Sequence, residues 1–121
     1  MAEESISRFL FSSNHFNTQN VKYGAFMPAP DGHASVIRIS QINEHEIHLI
    51  DSTVVSKSPD RLSKGRADFI ADEAFKLGLK IEVDTKPHPR HANLTNYPSE
   101  KSLQKLQAMQ LAARSKLKLR S

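Results

Sequence analysis

Apolar positions recur along the chain at two spacings, and each spacing predicts an element. Ile6, Phe9, Leu10 and Phe11 mark residues 5–11 as a short strand, closed by a turn at Ser12-Ser13-Asn14. Residues 21–27 form a second strand candidate interrupted by Gly24. The β-branched run Val36, Ile37 and Ile39 makes residues 34–40 a third. Between these two lies Pro28-Ala29-Pro30-Asp31-Gly32, a turn, because proline presets φ and glycine accepts positive φ. Strand, turn and strand together predict an antiparallel hairpin.

A helix follows. Asn43 stands where an N-cap belongs, with Glu46 three residues on, and Ile42 and Ile47 flank it as a hydrophobic staple. Ile47 and Ile50 continue at near-helical spacing. Residues 56–65 are polar, contain Pro59 and Gly65, and predict a loop; residues 66–70 predict a short extended piece. Residues 71–77 predict a short helix stopped by Gly78. Residues 79–83 alternate strictly, with Leu79, Ile81 and Val83 inward and Lys80 and Glu82 outward, as in a half-buried strand.

Residues 84–98 hold three prolines and show no period, which predicts a long loop of the kind that usually carries function. Ser99 is then positioned to cap a last helix, and residues 99–121 read as one continuous basic amphipathic helix. Its expected buried stripe is Leu103, Leu106, Met109, Ala113 and Leu117. A charge placed at Leu106 is therefore expected to destabilise the fold. The strands are not separated by regular crossover helices, so the predicted class is α+β. The expected architecture is a small twisted, mainly antiparallel sheet with two to three helices and the C-terminal helix packed on it.

A length of 121 residues fits a single domain spanning 1–121, since domains most often run to about 100–150 residues. The absence of cysteine excludes a disulfide framework and thiol chemistry. No apolar run approaches the ~18 residues of a membrane span. The first residues, Met1-Ala2-Glu3-Glu4, are unlike a signal peptide, so the expected location is the cytoplasm, with no membrane partner. Charge is uneven. Of seventeen basic and thirteen acidic residues, six and one lie in residues 100–121, leaving that segment at +5 and the rest at −1. Lys105, Arg114, Lys116, Lys118 and Arg120, with Lys101, form a basic tail suited to an acidic partner such as nucleic acid or an acidic protein face. The same cations would also complement the end of a solvated helix.

The densest chemistry lies in Pro87-His88-Pro89-Arg90-His91-Ala92-Asn93. Arginine holds a phosphate with two parallel hydrogen bonds, histidine moves protons near neutral pH, and prolines stiffen the presenting chain. Arg90, His91 and Asn93 are therefore candidate phosphate or ligand contacts, and equally groups that brace a proline-rich loop. Arg38, inside a β-branched strand, either pairs with a carboxylate such as Asp68 or Glu82 or points into a ligand cleft. His15 in the first turn joins the candidate set. If the protein is an enzyme, His15 and His91 are its acid–base pair, provided that they converge. His45 and His48 share a helix face, but two ligands do not make a metal site, so no metal is expected. No glycine-rich phosphate loop, nucleophile elbow or other cofactor motif occurs, and no cofactor is implied.

Arg90-His91-Ala92-Asn93-Leu94, followed by Tyr97-Pro98 and a Lys/Gln/Ala-rich last helix, resembles a pattern in a family of small bacterial proteins. The segments around Phe16, Phe26-Met27-Pro28 and Val36-Ile37-Arg38 share the likeness. No activity comes with this resemblance; it favours a free-standing small domain. The resulting expectation is a small non-enzymatic binding or accessory protein. It would engage nucleic acid or a phosphorylated ligand through the His/Arg loop and the basic helix. The alternatives are a metal-independent ribonuclease or phosphodiesterase, and a subunit that docks on a larger protein.

Overall fold

The computed structural model describes residues 2–56, 62–86 and 88–120. Six strands form one antiparallel sheet: β1 (Ser5–Leu10), β2 (Ala34–Arg38), β3 (Gly65–Ile70), β4 (Lys80–Val83), β5 (His91–Thr95) and β6 (Lys116–Leu119), in the order β4-β5-β2-β1-β3-β6. Three helices accompany it: α1 (Glu44–Ile50), α2 (Ala71–Phe75) and α3 (Lys101–Arg114). The class is α+β, as the pattern predicts. No described helix is long and apolar enough to cross a membrane.

Alternation along the strands divides the sheet into two faces. Ile6 and Leu10 of β1, Ala34 and Val36 of β2, Ala67 and Phe69 of β3, and Ala92 and Leu94 of β5 point to the larger core. There they meet Ala71 and Ala74 of α2, Ala108, Leu111 and Ala112 of α3, and Phe26. Phe26 packs edge-on against Phe69 at a centroid distance of 5.5 Å. On the other face Phe9, Ile37 and Ile39 pack with Ile47 and Ile50 of α1 in a smaller cluster. The α1 cap is as expected: the Asn43 carboxamide oxygen accepts from the Glu46 amide at 2.8 Å. Gly78 ends the second helical segment at φ 86°.

Several expectations are overturned. Residues 21–27 do not form a strand. Val21 makes only an isolated bridge to Phe16, and Tyr23–Phe26 is a 3-10 helix whose Ala25 amide bonds to the Lys22 carbonyl. The predicted hairpin is therefore absent, although its proline turn is present; β2 pairs with β1 and β5 instead. The long loop 84–98 is interrupted by β5, whose Ala92 and Leu94 face the core while His91, Asn93 and Thr95 face the other way. On β4, Leu79 is buried just before the strand, but Val83 is exposed, because β4 is an edge strand with little above it.

The last segment differs most. Glu100, not Ser99, occupies the cap position, and it makes no capping bond through its side chain. The helix stops at Arg114, and Lys116–Leu119 turns back as β6 to pair with β3. The close approach depends on Gly65, where a Cβ would lie 2.7 Å from the Lys118 carbonyl oxygen. Leu103, Leu106 and Met109 are 46%, 51% and 49% exposed, whereas Ala108 and Leu111 are fully buried. The buried stripe runs through small residues because α3 lies close against the 3-10 helix that carries Phe26. Two glutamines tie its flanks: Gln104 donates to the Pro98 carbonyl at 2.7 Å and Gln107 to the Leu77 carbonyl at 2.8 Å. Residues 57–61 of the predicted polar loop, Pro87 and Ser121 lie outside the described residues.

Leu111→Ala should lower stability by about 2–5 kcal/mol through the cavity it leaves. Leu106→Asp, on the exposed side of the same helix, should stay within about 0.5 kcal/mol of wild type. Urea unfolding of the two variants checks the assignment of the helix face.

Candidate functional site

Arg38 ends β2, and Arg90 immediately precedes β5. The Arg38 amide donates to the Arg90 carbonyl at 2.9 Å, so the two arginines stand opposite each other in the sheet. One Arg38 terminal nitrogen donates to the Pro89 carbonyl at 2.7 Å. One Arg90 nitrogen donates to the carbonyls of Ser40 and Arg38 at 3.2 and 3.3 Å. Neither guanidinium meets a carboxylate within ion-pair distance among the described residues; Asp68, a partner expected for Arg38, bonds to Arg66 instead. Arg38 Nε is buried and without a hydrogen-bond partner among the described residues. His88 Nδ1 accepts the Arg90 amide hydrogen at 3.0 Å, leaving its other ring nitrogen for other contacts.

His91 belongs to the opposite face. It is 8% exposed, and its two ring nitrogens are both engaged. Nδ1 lies 2.9 Å from the Asp84 carbonyl oxygen and 4.0 Å from that residue's carboxylate, and Nε2 lies 2.7 Å from the Ser35 hydroxyl. A carbonyl only accepts, so Nδ1 carries the proton and Nε2 accepts the Ser35 hydroxyl hydrogen. Asn93 is the direct cross-strand neighbour of Ser35 on β2 and of Glu82 on β4. Ser35 gives no sign in the sequence; only the diagonal register of β2 against β5 brings it to His91.

His15 does not join this group. Its Nδ1 accepts the Phe11 amide hydrogen at 3.1 Å, and it lines a groove with Tyr23, Met109 and Ala112 on the α3 side. The two imidazoles proposed as an acid–base pair thus lie on opposite sides of the sheet.

The basic tail is largely matched by the protein's own acids. Arg114 pairs with Glu73 at 3.0 Å, and Lys118 with Glu44 and Asp68 at 3.3 and 3.8 Å. Arg120 reaches Asp51 at 3.4 Å. Lys105 lies 4.8 Å above the Tyr23 ring, and Lys116 is exposed on β6, opposite Asp68. Asp51 is buried and also accepts from the Ser56 and Ser63 hydroxyls at 2.8 and 2.6 Å. Around Arg66, which bonds to Asp68 and to both Glu44 oxygens, a further network closes over the smaller core. His45 and His48 line the groove beside Glu44 and Asp51. Among the described residues no three acidic or imidazole side chains gather as a metal-ligand set.

The hydrogen bond from Arg66 holds the Glu44 carboxyl below its ordinary value of 4.5; burial opposes this, and the Arg66 charge with the Lys118 hydrogen bond and charge reinforces it. A depressed carboxylate stabilises the fold fully above its unfolded value and loses that contribution as pH falls through the folded one. Glu44→Gln should therefore melt below wild type at about pH 7, and the gap should narrow as pH falls below 4.5. Paired thermal melts across this range test the network. Comparison of the chain with protein-family models, with curated proteins and with solved structures gives no match, so its functional reading stands on the geometry.

Proposed function

We propose that the protein binds a phosphorylated ligand at the Arg38–Arg90 pair. The observation that carries this reading is two arginines on directly opposed backbone positions, with no described carboxylate near enough to pair with either guanidinium. Like charges directly opposite each other in a sheet destabilise it, and an oxyanion between them would reverse the sign. The Arg38 Nε is buried and has no hydrogen-bond partner among the described residues, a cost that a nearby oxyanion would offset through the guanidinium charge. Each guanidinium spends some of its five N–H groups on backbone carbonyls, which fix the planar forks and leave the remaining donors to a ligand. His88, with Nδ1 committed to the Arg90 amide, has its Nε2 available as a further donor. The tail contributes less than its net charge implies, because Arg114, Lys118 and Arg120 are paired within the fold. A compact phosphorylated molecule therefore fits better than a long polyanion tracked by the tail.

The test is calorimetric titration of wild type, Arg38→Lys and Arg90→Lys with pyrophosphate and with single-stranded DNA and RNA at two salt concentrations. Lysine keeps the charge and loses the fork. Each substitution should weaken pyrophosphate binding by about tenfold or more, since a hydrogen bond to a charged group is worth about 1.5–3 kcal/mol. Binding of polynucleotide with a steep salt slope would move the reading to nucleic acid. No binding of any probe at low salt would end it.

Docking on a larger protein is a second reading, favoured by Leu103, Leu106 and Met109, which stand exposed along one side of α3. Co-purification that is lost on Leu103→Glu plus Leu106→Glu, with pyrophosphate binding unchanged, would support it.

A further inference from the structure

We infer that Ser35 is a nucleophile activated by His91, giving the β2–β5 face a capacity for acyl transfer from small carboxylic esters. The geometry has the three parts such a step needs: a nucleophile, a base within hydrogen-bond reach of it, and a third group that orients the base. Ser35 is exposed, and its hydroxyl lies 2.7 Å from His91 Nε2. His91 is nine-tenths buried, so its ring is held by packing, and the Asp84 carbonyl at 2.9 Å sets the tautomer that leaves Nε2 basic. The Asp84 carboxylate, 4.0 Å from Nδ1, stands where it would favour the imidazolium formed during reaction. Asn93, directly across from Ser35 on β5, belongs to the same face and carries an amide donor suited to a developing oxyanion.

In the first step Ser35 Oγ attacks the ester carbonyl carbon, and its proton passes to His91 Nε2. The tetrahedral intermediate collapses, the bond to the leaving alcohol's oxygen breaks, and that oxygen takes the proton from Nε2. Water, deprotonated by the same nitrogen, then attacks the acyl carbonyl carbon; the bond to Ser35 Oγ breaks, that oxygen takes the proton back from Nε2, and a carboxylic acid is released. Arg38 alternates with Ile37 and so belongs to the other face of β2, which makes this site separate from the proposed phosphate site. Loss of either activity leaves the other standing.

The experiment treats the full chain with a fluorophosphonate probe and maps the adduct by peptide mass spectrometry. Ser35 should label faster than the exposed Ser13 and Ser102 of the same molecule. Ser35→Ala should lose the adduct with its melting temperature unchanged. His91→Asn should slow labelling by about 100-fold or more, the contribution of a general base. Turnover of p-nitrophenyl acetate should fall in both variants. Labelling of Ser35 no faster than of Ser13 and Ser102 in wild type would overturn the assignment, whatever the stability of His91→Asn. So would labelling at the wild-type rate in a folded His91→Asn.

Discussion

The register of β1 is the constraint on which the rest of the molecule depends. This strand lies between β2 and β3, so Ile6 stands opposite both Arg38 and Phe69, and Ser7 opposite both Ile37 and Asp68. Because side chains alternate with a period of two, a slip of one residue would turn Ile6 and Leu10 out of the larger core and Phe9 into it. Both residues are fully buried, which makes such a slip costly. Fixing β1 fixes β2, and β2 fixes β5. Two functional placements follow from that chain of registers: Arg38 beside Arg90 on one face, and Ser35 diagonal to His91 on the other.

Charge is organised by the same sheet. β6 lays Lys116 and Lys118 across from Asp68 and Arg66, and Lys118 thereby reaches Glu44 on α1. Arg120 continues past the strand end to the buried Asp51, whose other contacts are two serine hydroxyls. Asp51 is buried, so removing Arg120 would leave its charge uncompensated, whereas the Lys118–Glu44 pair is exposed and contributes less. Arg38 and Arg90 are different in kind. Their guanidiniums are steadied by carbonyls alone, which fixes direction without neutralising charge. The tail holds the highest net charge, but the arginines without described acid partners lie at the β2–β5 end of the sheet.

The local signals that proved reliable are those with a short-range cause. Asn43 caps α1 because its carboxamide reaches an amide three residues away, and Gly78 stops a helix because its φ is positive. The proline turn before β2 and the extended segment at β3 are local in the same sense. The failures share a different cause. Lys116-Leu117-Lys118-Leu119 and His91-Ala92-Asn93-Leu94-Thr95 both alternate in the strand period. In the sequence, one follows a good helix former without a break, and the other sits among prolines. Partners distant in the chain decided each. Gly65 lets β6 approach β3, and the open edge of β2 takes β5. The stripe of α3 was misplaced because large apolar residues are the usual guide, whereas the tight approach of this helix selects Ala108 and Ala112.

The amino-acid sequence by itself determined the α+β class, the caps and turns, and the residue types able to meet a phosphate, among them Arg38, Arg90, His91 and Asn93. It determined nothing about which of them meet. Tertiary structure decided that His15 and His91 lie on opposite sides of the sheet and that Arg114, Lys118 and Arg120 pair with the protein's own acids. It also decided that a serine with no motif around it stands 2.7 Å from a buried imidazole. The reason is physical: caps and turns depend on atoms within a few residues, whereas strand register is set by burial summed over distant segments. In a sheet, register alone determines which side chains share a face.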